Sequence, residues 1–218
     1  MDVPRFSRGE LAFMLAVPLV WAVLLLFHPA PDADDIHGSL HDVATGWLVV
    51  HLGSVLFVGL FGAALYLLVR DLPGTAARVS RLAIGPFVLF YGAGEAILGV
   101  ATGVLVQHAN DVPADERAAA AGAAQALWDN FIAADLIIGI GSVALVVVVI
   151  AAAVAYRGVG AALTVSILLG LTAIAVVHTP PFGQIGLVSF AAAVALLARS
   201  QSATTAADTA GQALTDRP

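Results

Sequence analysis

The chain of 218 residues contains neither cysteine nor lysine, and all nine of its basic residues are arginine. Without cysteine, the protein can form no disulfide, no thiolate metal site and no thiol nucleophile. Without lysine it can form no Schiff base, which excludes a retinal protein. Charged residues of both signs together make up only 11% of the chain, far below what a water-exposed surface normally carries.

Hydrophobic residues make up 60% of the chain, and the mean hydropathy is +0.96. A helix that crosses ~30 Å of hydrocarbon needs roughly 20 apolar residues. The apolar runs are continuous and do not alternate with polar residues, as the strands of a membrane barrel would. The sequence therefore predicts an all-α, polytopic integral membrane helix bundle. Six transmembrane helices are expected, at residues 11–27, 46–69, 82–107, 127–156, 161–177 and 184–198.

These runs fill residues 1–199, which we expect to form one six-span transmembrane domain. The tail 200–218 is rich in Ser, Thr, Ala and Asp and is predicted to be a disordered cytoplasmic segment. The first run also has the basic flank and apolar centre of a signal peptide. Because the bulky Leu26, Phe27 and His28 make a poor cleavage site, we interpret it as a retained span.

Two local patterns predict backbone features. Gly99 and Gly103 lie four residues apart in the third run, which predicts a face that packs closely against another helix. Pro113, followed by Asp115 and Glu116, predicts the start of a helix, since acidic residues in the first turn complement the helix dipole.

The arginines give the orientation. All of them except Arg117 fall on one side of a six-span arrangement, and the positive-inside rule then places both termini in the cytoplasm of a multi-pass cell-membrane protein. The six histidines lie at or near the opposite, outer face. Acidic residues are concentrated in the two larger outer loops. The sequence thus predicts an outer mouth that is acidic and rich in imidazole.

Two carboxylates lie inside apolar runs that contain no basic residue. Glu95 is near the middle of the third run and Asp135 is in the fourth. An acid at the bilayer centre costs on the order of 2.5 to 3.5 kcal/mol, so a partner must offset it. With a rise of ~1.5 Å per residue along a helix, Glu95 and Asp135 are expected at similar depths in the membrane. We predict that they face each other across one polar cavity, while two separate protonated carboxyls between helices remain the simpler alternative.

Further side chains are expected around this pair. The predicted substrate-binding residues are Tyr91, Trp47, Trp128, Asp129 and Asn130, and the predicted metal ligands are His51, Glu95, Asp135 and His178. Two adjacent carboxylates would share a proton or enclose a cation. Oxygen and nitrogen ligands without sulfur suit a divalent metal ion such as Zn, Mn or Fe.

The first functional hypothesis is a small permease that handles a cation or is coupled to protons. The alternative is a membrane-embedded isomerase, cyclase or hydrolase that uses Glu95 and Asp135 as acid and base on a lipid or isoprenoid. A haem held by His51 with His178 or His108 ranks lower, because no histidines are paired deep on facing helices. The expected partners are the lipid bilayer and a small cation or lipophilic molecule. No nucleic-acid partner is expected, and a homo-oligomer is left open.

Overall fold

The computed structural model describes residues 5–160, 163–164, 166–167 and 180–215, with the backbone alone for 133–134 and 203–215. Within these residues the chain is helical, and no strand occurs. The main helices are α1 (Arg8–Leu25), α2 (Ile36–Leu40), α3 (Ala44–Val69), α4 (Gly74–Asp111), α5 (Ala114–Trp128), α6 (Ile138–Tyr156) and α7 (Phe182–Thr215). The all-α prediction is confirmed for this part of the chain.

Among the described residues, five helices are long and apolar enough to cross a membrane. They lie at Arg8–Leu25, Ala44–Val69, Gly74–Asp111, Asp135–Tyr156 and Phe182–Ser202. The predicted span at residues 161–177 lies largely outside the described residues, so the count of six and the side of each terminus stay predictions. Helix α7 continues to Thr215, through most of the tail for which the composition predicts disorder. The division into a domain 1–199 and a tail 200–218 also stays a prediction.

The helix starts follow from capping residues. Ser7 precedes α1 and forms a capping box with Glu10: the Glu10 amide donates to Ser7 Oγ at 3.2 Å, and the Ser7 amide donates to Glu10 Oε2 at 2.8 Å. Helix α5 begins at Ala114, directly after Pro113, as predicted.

One end of the bundle is held together by arginine. Arg81 lies in α4, and its Nη1 donates to three backbone carbonyls at the end of α3, those of Val69, Arg70 and Leu72, at 2.7, 3.2 and 3.0 Å. These are the carbonyls that a helix end leaves without intrahelical partners. Arg70 also pairs with Glu10 of α1 at 2.5 Å. Hydrogen bonds to Asp71 and then to Glu10 raise the pKa of Arg70 above its usual value.

The core contains an aromatic cluster that joins four helices. Phe61 of α3 lies between Trp21 of α1, Phe87 of α4 and Phe190 of α7, with ring centroids 5.8, 6.4 and 5.0 Å away. These edge-on ring contacts stabilise the bundle through close van der Waals packing between its helices. The Trp21 indole N–H donates to Ser54 Oγ at 3.2 Å, which satisfies the polar atom inside this core.

Helix α4 is not wound uniformly. It contains two π-helical segments, Phe87–Tyr91 and Glu95–Ala101, in which each turn is wider than in an α-helix. A third, Ile132–Ile137, leads into α6. Such segments are rare and are often found at functional sites. Glu95 opens the second segment, and the sequence pattern did not predict this winding.

The predicted fourth span, 127–156, is interrupted. Helix α5 ends at Trp128, and the chain leaves the helix at Asp129 and Asn130 before it winds again. Asn130 Oδ1 accepts the Ile132 amide at 3.1 Å, a local bond that competes with continued helix. The part of the chain that carries Asp135 therefore does not extend α5 in a straight line.

Candidate functional site

A partly enclosed cavity of about 190 Å³ lies at the end of the bundle opposite the arginines. Helices α3, α4, α5 and α6 contribute to its wall, together with the segment that follows α1. The residues that line it are His28, Pro31, Trp47, His51, Gly94, Glu95, Leu98, Gly99, Trp128 and Ile138. Its two deepest polar side chains, His51 and Glu95, are only 3% and 2% exposed.

His51 and Glu95 approach each other across the contact between α3 and α4. His51 Nε2 lies 4.0 Å from Glu95 Oε2. His51 Nδ1 lies 2.9 Å from the backbone oxygen of Trp47. A carbonyl oxygen can only accept, so Nδ1 carries a hydrogen. Nε2, which faces Glu95, is therefore the nitrogen that takes up and releases a proton.

Trp47 positions both partners of this pair. Its indole N–H donates to the Gly99 backbone oxygen at 2.6 Å, inside the π-helical segment that Glu95 opens. Its ring lies against the imidazole of His51, with centroids 4.1 Å apart and planes at 33°. This ring contact fixes the position of the imidazole beside Glu95.

The glycine pattern in α4 has a direct structural role here. A Cβ added to Gly99 would lie 2.0 Å from His51 Cδ2, and one added to Gly103 would lie 2.8 Å from Trp47 Cδ1. Neither distance is compatible with a real side chain. The prediction that Gly99 and Gly103 form a close helix contact is confirmed.

His28 is a site residue that sequence reasoning missed. It follows α1, is half-buried, and its ring centroid lies 4.9 Å from that of His51 and 5.2 Å from that of Trp47. Its Nδ1 lies 2.6 Å from the Pro29 oxygen, so Nδ1 carries a hydrogen here too. The only sequence signal was a histidine directly after an apolar run, and that signal does not show how the chain folds back.

Of the predicted substrate-binding residues, Trp47 and Trp128 line the cavity. Trp128 is the last residue of α5, and its indole lies 6.2 Å from that of Trp47 with planes at 58°. Tyr91 is buried one turn before Glu95 and packs against Phe87 at 5.7 Å, and it is not part of the cavity lining.

Asp129 and Asn130 lie in the break after α5 and are exposed. Asp129 Oδ1 accepts from Gln125 Nε2 at 3.1 Å. Asn130 Oδ1 accepts the amide of Ile132. Both residues order the local chain, and neither contributes to the lining of the cavity.

Asp135 lies apart from Glu95. It is exposed and lines a different, open groove with Phe131, Leu136, Gly139, Ile140, Val143 and Ala144. The predicted pairing of Glu95 with Asp135 across one cavity is therefore not what the structure has. The break after α5 and the π-helical turn together reset the face on which Asp135 lies.

The predicted metal set is also not assembled in the described residues. They contain no group of three or more His, Cys, Asp or Glu side chains arranged to hold a metal ion. His51 and Glu95 supply two donors, Asp135 lines the other groove, and His178 lies outside the described residues. His108, the other haem candidate, is exposed near the end of α4 and is not part of the cavity lining.

Comparison of the chain with protein-family models, with curated proteins and with solved structures finds no match. A carboxyl group and an imidazole at 4.0 Å can share protons in two neutral arrangements, as two uncharged groups or as an ion pair. If the pair loses one more proton, it carries a net negative charge among the apolar residues of the cavity.

Proposed function

We propose that the chain is a multi-pass cell-membrane permease that couples substrate movement to protons, with His51 and Glu95 as its proton-binding pair. The observation that carries this proposal is the 4.0 Å approach of a buried basic nitrogen and a buried carboxylate at the wall of a cavity. A carboxylate at this depth needs a proton or a cation beside it. A substrate cation that binds beside Glu95 would replace the proton in this role. Cation binding and proton release would therefore be coupled.

The donor set favours protons over a metal ion as the coupling species. Among the described residues, no third side chain is arranged with His51 and Glu95 to hold a metal ion, and resident zinc has three or four protein ligands. Two side chains are sufficient to hold a proton between an imidazole and a carboxylate.

The position of the cavity supports an outward-facing site. Arg70 and Arg81 mark the far end of the bundle, and Tyr156 at the end of α6 joins it there by donating to the Leu68 oxygen at 2.6 Å. By the positive-inside rule the arginine end faces the cytoplasm. The cavity would then face the outside, and with six spans both termini would be cytoplasmic.

The enzyme alternative has less support. It uses one carboxylate as acid and a second as base, and Glu95 and Asp135 line separate hollows. A lipid substrate also needs a cleft that is open sideways to the bilayer at the reacting groups. The pair of His51 and Glu95 instead lies at a small, partly enclosed cavity beneath the segment that follows α1.

The proton-binding role can be tested without knowing the substrate. Infrared difference spectra of the protein in lipid nanodiscs should show one carboxyl group gaining a proton between about pH 10 and pH 4 that Glu95→Gln removes. His51→Gln should move the midpoint of that change, because it removes the neighbouring base. If the Glu95→Gln spectra match those of the wild type, Glu95 does not titrate and the proposal is wrong.

The coupling can then be tested in proteoliposomes on a solid-supported membrane. A panel of inorganic cations, organic cations and neutral solutes is applied with and without a pH gradient. We expect currents that depend on the pH gradient and are lost in Glu95→Gln. Asp135→Asn is the matched control: it should behave as the wild type, because Asp135 lines the other groove. Coupled currents that survive Glu95→Gln would contradict the proposal.

A further inference from the structure

The distance between His51 Nε2 and Glu95 Oε2 restricts what can bridge them. At 4.0 Å the two atoms are too far apart for a direct hydrogen bond. One nitrogen at about 2.9 Å from both atoms would have an angle of about 90° between the two contacts. That angle is about 20° smaller than the angle between two N–H bonds of a tetrahedral ammonium group, so each hydrogen bond would be bent by only about 10°.

The chemistry of the two atoms selects the same group. An ionised carboxylate only accepts hydrogen bonds, and Nε2 of a histidine that carries its hydrogen on Nδ1 also accepts. The bridging group must therefore donate at least two hydrogen bonds. A positive charge on that group also offsets the negative charge of Glu95, which an uncharged donor does not.

The rest of the cavity is suited to an apolar body beside that charge. The indoles of Trp47 and Trp128 form two walls at 58° to each other, and Leu98 and Ile138 complete an apolar lining. Tryptophan faces attract organic cations more strongly than other aromatic side chains do. At about 190 Å³ the cavity is smaller than the pockets that hold drug-sized ligands, so its ligand is a small molecule.

We infer that this cavity binds a small primary alkylammonium ion, whose N–H groups donate to Glu95 and His51 and whose alkyl chain lies against the walls that Trp47 and Trp128 form. The inference names the substrate class of the same site and rests on the proposed function for its role in transport. The charge balances: one ammonium ion enters the cavity as one proton leaves the Glu95 carboxyl group for water. No covalent bond forms or breaks.

Protons compete with the ammonium ion for the same two atoms. Among the described residues, the other titratable groups near Glu95 are His28 from the segment after α1 and Tyr91 on its own helix, and the residues of α5 and α6 that line the cavity are not titratable. Protonation of either imidazole adds positive charge beside the ligand. The binding of the ammonium ion should therefore weaken as the pH is lowered.

The test uses tryptophan fluorescence in nanodiscs of zwitterionic lipid. The chain has three tryptophans, and Trp21→Phe removes the one that lies outside the cavity. In that background, n-pentylammonium should change the emission of Trp47 and Trp128 and reach saturation. Calorimetric titration of the wild-type protein with the same salt provides a second measurement that does not depend on this substitution.

Two probes of similar size act as chemical controls. 1-Pentanol has the alkyl chain without the charge, and ethyltrimethylammonium has the charge without N–H groups. Both should bind at least about tenfold more weakly than n-pentylammonium. If 1-pentanol binds as tightly as n-pentylammonium, the cavity recognises only the apolar chain. If ethyltrimethylammonium binds as tightly, no N–H group bridges Glu95 and His51. Either result overturns the inference, as does the absence of saturable binding to folded protein.

Substitutions locate the ligand. Glu95→Gln should weaken the binding of n-pentylammonium by at least about tenfold, and His51→Gln by about threefold to tenfold. Trp128→Phe should weaken it by about twofold to tenfold, since phenylalanine holds a cation less well. Asp135→Asn should leave it unchanged. A loss in Asp135→Asn equal to that in Glu95→Gln would contradict the assignment.

The two proposals can fail separately. If n-pentylammonium binds in a way that depends on Glu95 but no solute gives a coupled current, the binding site stands and the permease proposal fails. If other solutes give Glu95-dependent coupled currents while n-pentylammonium does not bind, the permease stands and the alkylammonium inference fails.

Discussion

The indole N–H of Trp47 donates to the backbone oxygen of Gly99 at 2.6 Å, which connects α3 to the π-helical segment of α4. Both partners of the proposed proton-binding pair depend on this contact. His51 lies one turn after Trp47 on α3, and Glu95 lies one turn before Gly99 on α4. The distance between His51 and Glu95 is therefore set by how closely the two helices approach at Gly99.

Gly99→Ala should separate the two helices. The added methyl group would lie 2.0 Å from His51 Cδ2, so the imidazole or the helix must move. We expect a loss of about 1 to 3 kcal/mol in the free energy of unfolding, as for other overpacked sites. Thermal unfolding in nanodiscs measures the loss, and the infrared midpoint of Glu95 should shift in the same variant.

Gly122→Ala is the matched control for that substitution. Gly122 lies on α5, and an added Cβ meets no atom within 4 Å. Alanine is a better helix former than glycine, so this variant should be about 0.5 to 1 kcal/mol more stable than the wild type. Equal destabilisation by the two substitutions would contradict the close contact at Gly99.

Arg81→Ala should destabilise the arginine end of the bundle. It removes three hydrogen bonds from a charged group to the last carbonyls of α3. We expect a loss of about 1.5 to 3 kcal/mol, the range for hydrogen bonds to charged groups. Arg78 lies three residues earlier on the same helix and is exposed, so Arg78→Ala should change stability by no more than about 0.5 kcal/mol. Chemical denaturation of both variants in the same detergent makes the comparison.

Gln125→Ala should loosen the segment that covers the cavity. Gln125 Oε1 accepts the Ile36 amide at 3.0 Å, and its Nε2 donates to the Ala33 oxygen at 2.8 Å. Without these two hydrogen bonds, local opening of residues 33–40 costs less free energy. Amide hydrogen exchange of these residues should therefore become about tenfold faster. Gln107→Ala removes a bond to Thr45 Oγ1 and should leave exchange at 33–40 unchanged. Unaltered exchange in Gln125→Ala would show that other contacts hold this segment.

Asp135→Leu should stabilise the protein in a bilayer. Asp135 is exposed in an open groove whose other lining residues are apolar, so in the proposed membrane arrangement its carboxylate would face lipid and not the cavity. Removing that carboxylate should increase the free energy of unfolding in nanodiscs by about 1 to 3 kcal/mol. Asp34→Leu, at an exposed position before α2, should have an effect of about 0.5 kcal/mol or less. A lower stability of Asp135→Leu would indicate that this acid has a partner.

Much of the fold follows from the sequence because hydrophobic length is a sufficient signal for a spanning helix. The predicted spans 46–69 and 184–198 overlap closely with Ala44–Val69 and Phe182–Ser202. Glu95 and His51 were found for the same reason, since a polar side chain inside a long apolar run is costly and easily recognised. The sequence predicted that Glu95 and His51 share one cavity with a third residue, Asp135, but Asp135 lines a different groove.

Asp135 was misplaced because hydrophobicity gives depth but not the face of the helix. The break at Asp129 and Asn130 and the π-helical turn after it both change the direction in which later side chains point. Neither follows from the 3.6-residue period. His28 was missed for a related reason: the path of the chain after Leu25 is decided by packing against α3, which composition does not reveal.

The π-helical winding of Glu95–Ala101 determines how α4 responds to the loss of a residue. A π-helical turn is equivalent to an α-helical turn that carries one inserted residue. Deleting one residue there would allow ordinary winding to resume and would leave the positions from Thr102 to Asp111 on their present faces, whereas a deletion from an α-helical stretch rotates every later position by about 100°. A single-residue deletion within Glu95–Ala101 should therefore disturb the packing of Thr102–Asp111 far less than a deletion from an α-helical part of the same helix.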